Sequence, residues 1–250
     1  MFYKAKGKLT RMLRIPLIDI NVGTQNPYNR DVWLEKTLGL ISGGSRILDA
    51  GAGEGKYRHF CSHLDYVAQD FGKYDGKGDI SGLQMESWDN SKLDIISDII
   101  SIPEPDKSFD AIMCVEVFEH IPEPIKAIQE FSRLIKPGGH LIVTAPFCSM
   151  THFSPYHYYT GFNSYFFQTH FQEHGFDILD IDRNGNYFEY LALEIRRVQK
   201  ISERYANENT TFIEKIAKNI VLKMLQRFSN KGNSSNELLC WGYHILARKI

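Results

Sequence analysis

Long apolar runs are missing from this sequence: nowhere do about 18 apolar residues follow one another, so no membrane-spanning helix is expected. Cysteine is scarce. Cys61, Cys114, Cys148 and Cys240 are widely spaced with no C-x-x-C pair, which speaks against a disulfide scaffold or zinc ribbon and for reduced thiols in a cytoplasmic protein. Charge of one sign is not in excess either. Lys and Arg number 29 against 30 Asp and Glu, a net charge of -1, so a generic nucleic-acid binder would lack its attracting field. The basic start (Lys4, Lys6, Lys8, Arg11, Arg14) is not a secretory leader, because Arg14, Pro16 and Asp19 interrupt the apolar run of about 7–15 residues that a leader needs. Residues 1–25 are read as a basic arm, either solvated or drawn to an anionic membrane face or acceptor. Residues 26–250 are read as one domain, since 250 residues with 43% hydrophobic and 24% charged content suit one large core.

Short apolar runs alternate with turn signals. Arg46 to Ala50 reads as a strand leading into Gly51-Ala52-Gly53-Glu54-Gly55, with a helix expected over Lys56 to His63. Tyr66 to Gln69 is a second strand ending on Asp70, Leu93 to Ile96 a third and Phe109 to Val115 a fourth. Residues 72–93, rich in Gly, Asp and Ser, show no helical period and read as a long loop, an uncommon feature that is often functional. Pro122 and Pro124 open a helix carrying Ile125, Ile128, Phe131, Leu134 and Ile135 at helical spacing; Lys136-Pro137-Gly138-Gly139 ends it before a strand over His140 to Ala145. Asn163 to His174 reads as a helix stopped by Gly175, and Phe176 to Ile181 as a strand. Residues 187–229 read as mostly helical, and Leu238 to Ala247 as the last strand. The alternation predicts an α/β fold, a Rossmann-like doubly wound sheet of about seven mostly parallel strands, with a helical insertion (187–229) before the last strand.

Two nucleotide signatures are absent. A dinucleotide fingerprint G-x-G-x-x-G starting at Gly51 would need glycine where Lys56 stands, and no G-x-x-x-x-G-K-[ST] phosphate loop occurs. What is present is Asp49-x-Gly51-x-Gly53-x-Gly55, and glycine there lets backbone N–H groups approach a ligand closely. Asp70, 21 positions after Asp49 at the end of the second strand, can accept from both hydroxyls of a ribose. Asp98 follows the third strand and can accept from an adenine amino group. Three such features in order, each where open α/β sheets bind ligands, form one pattern.

At these residues the chain resembles class I S-adenosylmethionine-dependent methyltransferases. Ile47 to Gly55 looks like their first motif, and Asp98-Ile99-Ile100-Ser101-Ile102-Pro103 with Ser108 to Ile112 is similar to their adenine-binding segment and fourth strand. Val117-Phe118-Glu119-His120-Ile121 and Lys136 to Val143 match the segments that follow, and the likeness spans residues 26–183. The resemblance implies S-adenosylmethionine as cofactor and S-adenosylhomocysteine as product. It implies that Gly51 and Gly53 let the backbone approach the methionine part, with Asp49 near its amino group. It further implies that Asp70 holds the ribose, that Phe71 and Ile99 flank the adenine, that Asp98 accepts from its amine, and that Val115 sits beside the cofactor. Arg30 is read either as a partner of the cofactor carboxylate or as a surface arginine. The loop 72–93, carrying Tyr74 and Trp88, stands where the family has a helix.

A hydroxyl acceptor calls for a positioned base, since an alcohol is scarcely ionised at neutral pH. His120 after the fourth strand is one candidate, read either as positioning or as catalytic. His152 and His157 in the segment Thr151 to Tyr159 are the others, with His157 preferred, and the aromatic side chains there also suit packing of a lid. His170, Glu173 and His174 fit H-x-x-E-H, a zinc-peptidase pattern, but at the end of a short helix; no metal is expected. The Phe212 to Phe228 segment has an apolar stripe opposite Lys215, Lys218, Lys223 and Arg227. The stripe is expected to be buried against the body or in a homodimer, with peripheral membrane contact as the alternative. The expected function is methyl transfer to a small-molecule or glycan acceptor, at a hydroxyl oxygen of a sugar or natural product. The alternatives are a NAD-dependent oxidoreductase on a similar sheet, and a non-catalytic cofactor-binding partner subunit. A nucleic-acid substrate is not expected, because no [DNS]-P-P-[YFW] tetrapeptide occurs.

Overall fold

The computed structural model describes residues 20–232 and 234–250. Most of the basic arm expected over residues 1–25 therefore lies outside the described residues.

A seven-stranded sheet forms the centre, from β1 (Arg46–Ala50), β2 (Asp65–Asp70), β3 (Ile95–Ile96), β4 (Phe109–Val115), β5 (Ile135–Pro146), β6 (Phe176–Asn184) and β7 (Gly242–Lys249). Its order is β3-β2-β1-β4-β5-β7-β6. β3, β2, β1, β4 and β5 pair in parallel, while β7 runs antiparallel between β5 and β6. Five helices accompany it among the described residues: α1 (Asn26–Leu38), α2 (Pro124–Leu134), α3 (Ser164–Glu173), α4 (Tyr187–Tyr205) and α5 (Phe212–Ser229). The α/β class, the doubly wound sheet and the helical pair ahead of the last strand all match the sequence expectation.

The central strands are buried on both faces, which is why their sequences run nearly continuously apolar. Leu48, Ile112, Leu141, Phe118, Phe131 and Phe167 belong to the core on one face, and Ile47, Met113, Ile142, Leu34 and Leu38 to that on the other. Against this lining, a carboxylate at the end of a strand is conspicuous. Asp49 pairs in register with Ala68 of β2 and Met113 of β4, in the middle of the sheet.

Several local readings need correction. Ile135 does not belong to the helix, and β5 starts there and runs through Lys136 to Gly139 rather than beginning at His140. Lys56 to His63 does not form an α-helix; only a short 3₁₀ turn stands at Arg58–Cys61. The crossover back to β2 is brief, and 3₁₀ geometry covers more distance per residue, about 2.0 Å. The last strand begins at Gly242 rather than Leu238, because a 3₁₀ turn occupies Ser235–Glu237 and Leu238 is exposed. α1 was not anticipated: only Leu34, Thr37 and Leu38 are buried along its 13 residues, too sparse an apolar stripe to read, although Pro27 in the first turn is a start signal.

α4 and α5 pack against each other through Ala192, Leu222 and Leu225, with Val22 completing that small core. Of the Phe212 to Phe228 stripe expected to be buried, outside which Leu222 lies, only Leu225 is, with Val221 and Phe228 half-buried. Phe212, Ile213, Ile216, Ile220 and Met224 stay exposed.

Candidate active site

β1 and β2 carry their acidic residues to the same edge of the sheet. Asp49 is buried and accepts a hydrogen bond from the Tyr66 hydroxyl. Burial, reinforced by the charge of Asp70 and opposed by the Tyr66 bond, pushes its carboxyl up to about 7. Asp70 is buried too and accepts from the N–H groups of Gly53 (3.1 Å) and Gly72 (2.9 Å). Burial raises its pKa, and those N–H bonds pull it partway back.

Between the two carboxylates, Gly51 (φ +79°) and Gly53 (φ +54°) adopt the left-handed region that a side chain disfavours. Close neighbours also exclude a side chain there. A Cβ on Gly51 would stand 2.5 Å from a Val117 methyl, and one on Gly53 would stand 2.6 Å from the Trp88 ring. Trp88 belongs to the 72–93 loop, so that loop reaches over the glycine turn.

The other carboxylates and apolar candidates are less enclosed. Asp98 is exposed, and one of its oxygens accepts from the Ile100 N–H (3.1 Å). Ile99 and Val115 are buried, and the Phe71 ring meets Tyr156 edge-on at 4.9 Å. Arg30, on α1, pairs with Glu116 at 2.8 Å. Burial works against its charge, but Glu116 and Tyr57 outweigh that and hold the guanidinium firmly protonated. Its Nε has no partner.

The three candidate bases converge. His120, after β4, lies 4.6 Å between ring centroids from His152 and 5.8 Å from His157, and His152 lies 4.8 Å from His157. Burial, then His152, pushes His120 down to about 3; burial likewise lowers His152 and His157. All three rings are therefore neutral near pH 7. Beneath them lies Glu119, 1% exposed, with one oxygen unpartnered. Burial, then the charge of Glu116, pushes it up to about 8.

The histidine loop and the 72–93 loop are fastened together. Leu83 N–H donates to Thr151 O (2.9 Å), Phe153 N–H to Leu83 O (2.9 Å) and Asp79 N–H to Ser154 O (3.1 Å). Tyr74, Trp88 and Phe153 form one aromatic cluster, with centroids 4.7–5.4 Å apart, and Phe153 stacks on His120 at 5.3 Å. The two segments make a single lid across the ends of β1, β2 and β4.

A family model described as a methyltransferase domain matches residues 28–207, which includes the glycine turn, the lid and α4 but not α5. The chain belongs to this methyltransferase family. A S-adenosylmethionine-dependent methyltransferase from Archaeoglobus fulgidus has a similar fold, with TM-score 0.55 at 19% identity over 89% of this chain and 94% of its own. Curated relatives include ubiquinone biosynthesis O-methyltransferases. The one from Vibrio atlanticus (strain LGP32) is 32% identical over 119 residues, 46% of this chain and 48% of its own length. That of Alkalilimnicola ehrlichii is 32% identical over 130 residues, 51% and 49% respectively. The chain spans about half the length of the curated relatives it matches.

In this family member, sequence reasoning named the glycine turn, its carboxylates and the histidines but overlooked the groups that hold them. Glu116, at positive φ (55°), accepts from the Thr144 hydroxyl and engages Arg30. Tyr66 serves Asp49, and Glu119 underlies the histidines. Glu119 left only a faint signal, a carboxylate set among the apolar residues Val117, Phe118 and Ile121. The H-x-x-E-H set does not gather into a chelate. His170 pairs with Glu173 at 2.8 Å, and His174 turns its Nδ1 to the His170 carbonyl, as residues capping a helix end do.

A further cavity of about 480 Å³ lies between Met150 and α4, lined by Glu194, Arg197, Val198, Ile201 and Tyr205. Met150 is also the residue whose carbonyl holds the His152 ring (2.8 Å), so the cavity adjoins the histidine cluster.

Proposed function

We propose that this chain transfers a methyl group from S-adenosylmethionine to a hydroxyl oxygen of a small molecule. The observation that carries the reading is the pair of buried carboxylates, Asp49 and Asp70, on either side of a glycine turn that tolerates no side chain. A ligand with an ammonium group and a ribose satisfies both: Asp49 pairs with the first, and Asp70 accepts from the second. Phe71, Ile99 and Val115 would supply apolar walls for the adenosine, with Asp98 at its amino edge, and Arg30, paired with Glu116 through one nitrogen, keeps a buried Nε free to meet the cofactor carboxylate. The residues present therefore fit the cofactor.

When bound, the cofactor supplies the electrophilic methyl. The chain's own residues align the acceptor and take up its proton. His120, His152 and His157, neutral and clustered under the lid, are the proton acceptors within reach. The apolar Met150–α4 cavity favours an acceptor with an apolar body, more natural-product-like than sugar. The O-methyltransferase names of the curated relatives point to the same acceptor atom.

Thermal unfolding with S-adenosylmethionine, S-adenosylhomocysteine, NAD or no ligand tests the cofactor. At about 100 times its Kd a ligand adds about 2.7 kcal/mol, a rise of about 5–10 °C for a chain of this size. The first two ligands are expected to give that rise and NAD none. A larger shift with NAD, or none with the first two, overturns the reading.

Binding is also expected to depend on pH. Free Asp49 holds its proton below about 7, whereas pairing with an ammonium needs the carboxylate. A folded-state pKa raised above the unfolded one means that the ligand-free chain loses stability as pH rises from about 4 to 7. Cofactor affinity moves the other way. S-adenosylhomocysteine should bind about 100-fold more weakly at pH 5 than at pH 8, and Asp49→Asn should flatten that profile. Calorimetric titration across this range checks both; a flat wild-type profile rejects the ammonium pairing.

A further inference from the structure

The buried groups beneath the lid form a second site. The Nδ1 atoms of His120 and His152 both face backbone carbonyls, of Tyr156 and Met150 respectively. A carbonyl only accepts, so in each ring Nδ1 carries the proton and Nε2 carries the lone pair. These two Nε2 atoms lie 3.7 and 3.8 Å from one carboxylate oxygen of Glu119, too far for hydrogen bonds. His120 Nε2 and the other Glu119 oxygen have no partner and are buried. When Glu119 is ionised, its carboxylate and the two Nε2 lone pairs face one another with no donor among them.

Buried acceptors are normally satisfied, and a cation satisfies all three at once. Two atoms bound to one ion at about 2.1 Å stand about 3.0–3.4 Å apart, so the two Glu119–histidine spacings need to close by about half an ångström, while the third pair lies within 4.8 Å and closes by more. Nδ1–H donation to a backbone carbonyl is the outer support that orients metal-bound imidazoles and fixes their tautomer. No other group of three such ligands among the described residues comes so close; the ligand atoms lie within 4.8 Å of one another.

We propose that Glu119, His120 and His152 bind one divalent first-row transition-metal ion. Two imidazoles and one carboxylate suit such an ion and leave coordination positions open, and His152, 23% exposed in its side chain, leaves the site accessible from one side. The expectation of no metal considered only His170, Glu173 and His174, a different set. The ion's role rests on the methyl-transfer reading, whereas its binding does not. An acceptor hydroxyl reaching an open position would ionise more readily. Its O–H bond breaks and the proton passes to His157. The oxygen's electron pair forms the bond to the methyl carbon, and the C–S bond breaks with its pair remaining on sulfur.

The test uses the full chain, freed of metal by a chelator and titrated with Co(II) and then Zn(II). One equivalent of Co(II) should bind, develop visible absorption characteristic of nitrogen and oxygen ligation, and be displaced by Zn(II). His152→Ala and Glu119→Gln should each weaken binding by 100-fold or more, whereas His170→Ala should leave it unchanged. Each variant is checked for the S-adenosylhomocysteine thermal shift of the wild type, which shows that it is folded. Absence of saturable binding in the wild type overturns the site, as does binding kept in both His152→Ala and Glu119→Gln or lost in His170→Ala. A chain that binds Co(II) but shows no S-adenosylhomocysteine shift keeps the metal site and loses the methyl-transfer reading. The opposite result removes the metal alone.

Discussion

Asp70→Ala is expected to weaken S-adenosylhomocysteine binding by about 100-fold or more and to erase its thermal shift. Two ribose hydroxyls donating to one carboxylate are charge-assisted bonds, each worth about 1.5–3 kcal/mol, and about 3 kcal/mol in total is already about 100-fold in Kd. The ligand-free fold should suffer less. Alanine removes the acceptor for the Gly53 and Gly72 N–H groups, but it also removes a buried carboxylate whose raised pKa marks a desolvation cost. Asp70→Asn separates the two effects. It keeps an acceptor for the glycine turn but not the charge, so its unfolding temperature should stay near the wild type while affinity falls to an intermediate value. Calorimetric titration of both variants decides. Affinity at the wild-type level in Asp70→Ala rejects the ribose assignment.

How much of this was legible beforehand depended on sequence distance. Asp49, the glycines and Asp70 belong to one strand-turn-strand passage, so periodicity and a glycine pattern suffice to place them side by side. Parallel pairing of Asp49 with Ala68 then follows from the right-handed crossover. The antiparallel insertion of β7 between β5 and β6 has no comparable local signal, because strand order depends on which edges remain open after the rest has assembled. The histidine cluster was half legible. His120, His152 and His157 were each singled out for their chemistry, but nothing in their spacing shows that three rings and Glu119 share one pocket. That grouping is made by the lid, through backbone bonds such as Leu83 N–H to Thr151 O that leave no trace in side-chain pattern. α1 and the 3₁₀ turn after Gly55 were missed for a related reason: tertiary contacts at Leu34, Leu38, Tyr57 and Cys61 support segments with weak periodicity of their own.

The glycine content of the 72–93 loop acquires a physical meaning at Gly78, and with it comes the second large effect. Gly78 sits at φ +50°, and a Cβ there would stand 1.8 Å from the Ser154 carbonyl oxygen. Contacts below 3.0 Å do not persist, so in Gly78→Ala the two backbones must part by at least 1.2 Å (3.0 − 1.8). Ser154 follows His152 and Phe153 directly, and its carbonyl accepts from Asp79 N–H (3.1 Å) and from the Gln84 amide (3.2 Å), bonds that the separation breaks or stretches. A displacement of about 1 Å in a group aligned for reaction can cost about 10²-fold in rate. Turnover of Gly78→Ala is therefore expected to fall by about that factor once an acceptor is found. S-adenosylhomocysteine binding should weaken less, because Asp49, Asp70 and the glycine turn are held by the sheet rather than by the lid. The central strands should keep their hydrogen-exchange protection while residues 74–88 and 151–156 lose theirs. A variant with wild-type turnover and an unchanged exchange pattern would mean that the lid tolerates separation and that the histidines take their positions from β4 and Glu119 alone.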